Sequence, residues 1–160
     1  MEHVQSIVQG LRATPALLEE MVRAIPISRL HERRGEGFWT IAEHTAHLAD
    51  VQPMLTKRLK RILAEDTPAF VPFIPDDGDP PTTLPPPDVD AALGVFADER
   101  AAQTALLAAQ DSAAWARLAV HPEYDQYGLY VLARHMLMHD HWHMYRMEEL
   151  WLTRDAWLAP

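Results

Sequence analysis

Residues 133–150 read Ala133-Arg-His-Met-Leu-Met-His-Asp-His-Trp-His-Met-Tyr-Arg-Met-Glu-Glu-Leu150, and they hold four of the chain's nine histidines among strong helix formers. On an α-helix, residues four apart lie one above the other, their Cβ atoms roughly 6 Å apart. His135, His139 and His143 therefore share one face. The rise from His135 to His143 is about 12 Å, too long for all three rings to bind one ion through bonds near 2.0–2.1 Å. One adjacent pair can close on a metal, either His135/His139 or His139/His143. His141 points about 200° away from His139 and reads as surface. A second pair, His44 and His47, occurs at spacing three in another helix-like segment. Paired imidazoles on two helices point to an all-α protein, a helical bundle with a metal site inside it.

The rest of the chain supports four long helices. Val4, Ile7, Val8, Leu11, Leu17, Leu18, Met21 and Val22 have helical spacing, so a first helix spans about Val4 to Ala24. Thr14-Pro15 within it resembles an N-cap with proline in the first turn, and predicts a kink or restart. After a connector with Gly35 and Gly37, Thr40 and Glu43 form a capping box opening a second helix, Ile41 to about Ala64, bent at Pro53. Residues 65–88 carry eight of the thirteen prolines, a run that cannot be helical. This is a long crossover, and its Phe70 and Phe73 are expected to pack on the bundle. Asp88 caps a third helix, about Val89 to Ala109, and a short helical piece follows at Ser112 to Leu118. His121-Pro122-Glu123-Tyr124 is a turn, and the last helix runs from about Gln126 through Arg154. No strand signal is visible. The architecture expected is an all-α four-helix bundle with a proline-rich crossover between helices 2 and 3, in a single domain covering 1–160.

Composition narrows the function. The formal charge of -9 argues against nucleic acid, whose phosphates need a basic footprint. The short cluster Lys57-Arg58-Leu59-Lys60-Arg61 reads as a solvated helix end. There are no cysteines, which excludes disulfides, thiolate ligands and a protein-borne thiol nucleophile. No signal peptide and no membrane span are read, so a cytoplasmic protein with no membrane partner is expected.

Three neutral imidazoles with an open fourth position make a catalytic rather than a structural metal site, and imidazole suits zinc, nickel, iron or copper. The third ligand falls to His44 or His47. The bland alternative is a metal-free polar layer in which the histidines bond to Asp50, Glu43 or Asp140. The zinc-protease pattern is absent, since Asp140 follows His139. Trp39 reads as a staple for the connector. Met136, Met138, Met144 and Met147 read as core. Trp151, Trp157 and Leu158 read first as core and second as a homodimer contact.

Two blocks resemble a known family. Gly37-Phe-Trp-Thr-Ile-Ala-Glu-His-Thr-Ala-His-Leu-Ala-Asp50 is one; the other is His121-Pro-Glu-Tyr124 running into His139-Asp-His-Trp-His143-Met-Tyr-Arg-Met-Glu-Glu-Leu150. Together they are similar to the DinB-like superfamily of four-helix bundles, which includes metal-dependent hydrolases and low-molecular-weight thiol transferases. The resemblance covers nearly the whole chain. It implies that His47, His139 and His143 are the metal ligands, holding a divalent nickel, zinc or iron ion. Many members have glutamine where this chain has Arg146, so substrate details do not transfer. What the resemblance implies is a metal-dependent enzyme, either a hydrolase or a thiol S-transferase, acting on a small molecule. Any thiol must come from a cosubstrate. Asp50 and Asp140 would orient the imidazoles, and Glu43 or Glu123 would serve as a base. The alternative is a non-catalytic metal-binding or dimerising bundle, with His44 as a closing fourth ligand.

Overall fold

The computed structural model describes residues 2–72 and 85–160, with only the backbone of Glu2. Helix α1 (Glu2–Ala24) runs unbroken through Pro15. Proline lacks the N–H that would bond the carbonyl four residues back, here Leu11 O. The Thr14 hydroxyl takes its place, donating to Leu11 O at 3.0 Å and sharing its proton with Asp140 Oδ2 at 3.1 Å. That substitution replaces the kink expected at this point.

After the one-turn helix α2 (Ile27–Leu30), the predicted capping box opens α3 (Ile41–Asp50). The Glu43 amide donates to Thr40 Oγ1 at 3.1 Å, and the Thr40 amide donates to Glu43 Oε2 at 2.7 Å. The second long segment breaks at Val51 and resumes as α4 (Gln52–Ala64). Pro53 thus falls in a first turn, where a missing donor costs nothing. Asp88 caps α5 (Val89–Ala108) through the Ala91 amide, and α6 (Ser112–Trp115) is a single turn. Most of the proline-rich crossover, including Phe73, lies outside the described residues. Phe70 is described and buried, edge-on to Tyr127 at 6.0 Å.

Where only a turn was expected, a small antiparallel sheet forms from β1 (Leu118–His121) and β2 (Tyr124–Gly128). Ala69 bridges to Val120 in parallel, so Phe70 N donates to Val120 O at 2.8 Å. The strands escaped the sequence because burial runs against hydropathy. Leu118 and Val120 are exposed while Ala119 and His121 are buried, which erases the apolar alternation that marks a strand. The last helix, α7 (Leu129–Leu152), consequently begins three residues later than expected. Gly128 at its start has no room for a side chain: a Cβ would lie 2.3 Å from Arg117 O.

These elements form a four-helix bundle in which α3 and α4 act as one bent helix. Both α1 and α3 pack chiefly on α5 and α7, so the first two long helices face each other diagonally. Two apolar clusters fill the interior. One centres on Leu11, Leu55, Leu59, Ile62, Leu107 and Leu132, the other on Leu18, Ile41, Leu48, Phe96 and Met147. Trp151 and Leu158 pack against the second cluster, whereas Trp157 is exposed.

Between the clusters lies a polar layer to which every long helix contributes. Arg100 donates to Asp140 at 2.8 Å and to Gln103 at 2.7 Å, and Gln103 donates to Gln52 at 3.1 Å. Arg100 and Asp140 are both fully buried. Burial raises the Asp140 carboxyl to about 6 against the opposing pull of Arg100. No helix among the described residues is long and apolar enough to cross a membrane.

Candidate metal centre

Helices α3 and α7 bring His47, His139 and His143 together, as their spacing allows. Their ligand nitrogens all lie within 4.8 Å of one another. His139 Nε2 is 3.3 Å from His47 Nε2 and 3.2 Å from His143 Nε2. Two nitrogens bound to one tetrahedral ion at 2.0–2.1 Å stand about 3.3 Å apart. These edges therefore match a shared cation.

The rings are also in the right charge state. Burial, then the neighbouring His139, His47 and His44, drives the His143 imidazole down to about 2. Burial, then His47, Arg100 and His135, takes His139 to about 4. His47 is lowered by burial, partly opposed by Asp50. All three are neutral at pH 7, as ligands must be.

His44 lies beside this set with a different contact. Its Nδ1 is 2.8 Å from Nδ1 of His143. One of the two must donate, since imidazole nitrogens cannot pair lone pair to lone pair. If His143 donates from Nδ1, its Nε2 keeps the lone pair that faces His47 and His139. His44 then acts as the partner that fixes tautomer and ring orientation. Burial, then the Arg146 charge and His47, lowers His44 to about 3, which keeps it neutral and able to accept. This contact turns His44 Nδ1 away from the role of fourth ligand.

Trp39 does more than staple the connector. Its ring lies 5.3 Å from His44, 5.1 Å from His47 and 6.1 Å from His143, roofing the cluster.

The acidic partners expected for the imidazoles are engaged elsewhere. Asp140, about 100° around α7 from His139, is held by Arg100 and Thr14. Glu43 is spent on its capping box and on Arg33 at 2.5 Å. Asp50 is exposed at the end of α3 and acts on His47 through its charge alone. Glu123 is exposed, 3.9 Å from His121 Nδ1. His141 is exposed and bonds Leu137 O at 2.8 Å. Among the described residues, His139 Nδ1 and Arg100 Nε are the buried side-chain polar atoms without a partner.

A cavity of about 530 Å³ opens beside His47 and His139. Its middle is apolar, walled by Val51, Met54, Leu132 and Met136, and its far end carries Arg58, His121 and Tyr127. Sequence reading placed Arg58 on a solvated helix end and His121 in a turn. Only the docking of the β1–β2 hairpin on α4 and α7 brings them to one chamber. A second cavity, about 370 Å³, lies across Trp142 and is bordered by His44, His143 and Arg146. Arg146 there bonds Glu149 at 2.6 Å and Ala159 O at 2.7 Å.

The family described as the DinB superfamily matches residues 10–154. A curated relative, YfiT of Bacillus subtilis (strain 168), is 27% identical over 150 residues, covering 89% of this chain and 81% of the relative. The solved structure of YfiT from Bacillus subtilis superimposes with a TM-score of 0.79 at 26% identity, covering 94% of this chain and 86% of that one. That protein is described as a probable metal-dependent hydrolase with an unusual four-helix bundle topology.

Proposed function

This chain belongs to the DinB superfamily, and on that premise we propose that it is a metal-dependent hydrolase of a small molecule, with His47, His139 and His143 holding one divalent transition-metal ion. The observation that carries the reading is the convergence of three neutral imidazoles with Nε2 separations of 3.3 and 3.2 Å. Nickel, zinc and iron all suit such ligands. When bound, the cation supplies Lewis acidity and generates a nucleophile from water or a thiol near neutral pH.

The chain's own residues supply the rest. His44 fixes the His143 ring by the Nδ1 contact at 2.8 Å. Trp39 covers one side of the cluster and keeps bulk water from it. Val51, Met54, Leu132 and Met136 hold the apolar part of a substrate beside the ligands. The description of the Bacillus subtilis relative as a probable metal-dependent hydrolase supports hydrolysis as the reaction.

Thiol S-transfer is the second reading, and the second cavity is what favours it. A transferase needs room for two reactants, and about 370 Å³ is available on the His44–His143 side of Trp142. With no cysteine in the chain, the thiol belongs to a cosubstrate.

Elemental analysis of tag-free protein, loaded with nickel, zinc or iron and then dialysed, tests the centre. About one metal per chain is expected, lost in His47→Ala, His139→Ala and His143→Ala. A wild type that retains none of the three metals refutes the reading. With the centre established, ester, amide and thiol-conjugation panels decide between hydrolysis and transfer.

A further inference from the structure

Resting on the metal-enzyme reading, we propose that the 530 Å³ cavity takes a monoanionic substrate with an apolar body, its carboxylate on Arg58 and its reactive group toward His47 and His139. Arg58 is half-buried on α4. Its guanidinium donates to Val71 O at 2.9 Å and lies 5.5 Å from the Phe70 ring centre, and its charge acts on the Tyr127 hydroxyl. These contacts hold the group in place, and none of them supplies a negative charge. Among the described residues no carboxylate pairs with Arg58, whereas Arg61, one turn on, is doubly bonded to Glu65 at 2.8 Å and 2.8 Å. In a chain with 23 acidic side chains and 14 basic ones, an arginine fixed on a cavity wall by neutral groups, with no ion pair among the described residues, selects for an anion that arrives from outside.

The rest of the chamber narrows the class. Among the described residues Arg58 is the one lysine or arginine on its wall, so it balances a single negative charge; a phosphate dianion would call for more. Glu123 also lines the chamber, exposed, with its carboxylate 3.9 Å from His121 Nδ1 and no ion pair to Arg58. Tyr127 and His121 are buried and place a hydroxyl and a ring nitrogen near the same end. Between the two ends lies an aliphatic wall, suited to an aryl or alkyl body. His47 and Arg58 are eleven residues apart on the bent α3–α4 helix, roughly 16 Å along its axis before the side chains reach inward. A carboxylate joined by a short chain to a ring fits that span.

Calorimetric titration with 4-phenylbutyrate and its uncharged analogue 4-phenylbutyramide tests the proposal. Both are run on zinc-loaded and chelator-stripped protein, for wild type, Arg58→Met and the charge-keeping Arg58→Lys. The expected result is acid binding at least tenfold tighter than amide in wild type, with or without zinc. Arg58→Met should abolish the preference and Arg58→Lys retain part of it. Equal binding of acid and amide, binding of neither, or an unchanged preference in Arg58→Met overturns the proposal. So does a preference seen only in zinc-loaded protein, which would put the carboxylate on the metal. Protein that retains no zinc yet keeps the acid preference refutes the metal reading and leaves the anion site standing.

Discussion

Acidifying the metal-free protein from pH 7 to pH 5.5 should cost it about 4 kcal/mol of stability through three imidazoles. His44, His139 and His143 have folded-state values of about 3, 4 and 2, against an ordinary 6.5. In the unfolded chain each binds a proton as pH falls below about 6.5; in the folded chain each stays neutral. The unfolded state therefore holds more protons, and stability falls with falling pH. The contribution is fully present above about 6.5 and is lost progressively toward the folded values. Between pH 7 and pH 5.5 each site contributes about 1.3 kcal/mol from the protonation polynomial of the unfolded imidazole, or about 4 kcal/mol for three. Urea unfolding of chelator-stripped protein at both pH values measures it. The control is a His44→Gln, His139→Gln, His143→Gln variant, which keeps the remaining titratable groups. The wild type should lose about 4 kcal/mol more than the variant over this interval. Equal losses in the two proteins, or resonances of these three imidazoles titrating near 6.5 in the folded wild type, would refute the reasoning.

Other outcomes follow from single contacts. His44→Leu should leave one metal per chain but weaken its affinity about 10- to 100-fold, read by competition with a chromophoric chelator, because the partner at 2.8 Å from His143 is gone. Arg100→Met should destabilise by about 3–5 kcal/mol in urea unfolding, since it leaves Asp140 buried without its cation. The double variant Arg100→Met/Asp140→Leu should lose less than Arg100→Met. Gly128→Ala should cost about 2 kcal/mol or more and lower Tm, because its Cβ would meet Arg117 O at 2.3 Å and force the hairpin off α7.

Much of this protein is written in local chemistry. Helical periodicity, the Thr40–Glu43 capping box and the Asp88 cap placed the long helices within a few residues, because caps and apolar stripes act over one or two turns. The same local geometry showed that His139 could pair with His135 or with His143, and that His44 or His47 could face them. It could not choose, because the choice depends on how α3 docks against α7. Tertiary structure set His47 Nε2 3.3 Å from His139 Nε2 and turned His44 aside to meet His143 through Nδ1. It also drew Asp140 to Arg100, forty residues away in the chain, and so removed it from the imidazoles. The hairpin is the clearest failure of local reading: Leu118 and Val120 face out while His121 faces in, an order that only packing against the bundle makes favourable. The cavity ending in Arg58, His121 and Tyr127 is likewise a product of that packing. Its walls come from segments more than sixty residues apart, and nothing in either segment alone specifies the other's position.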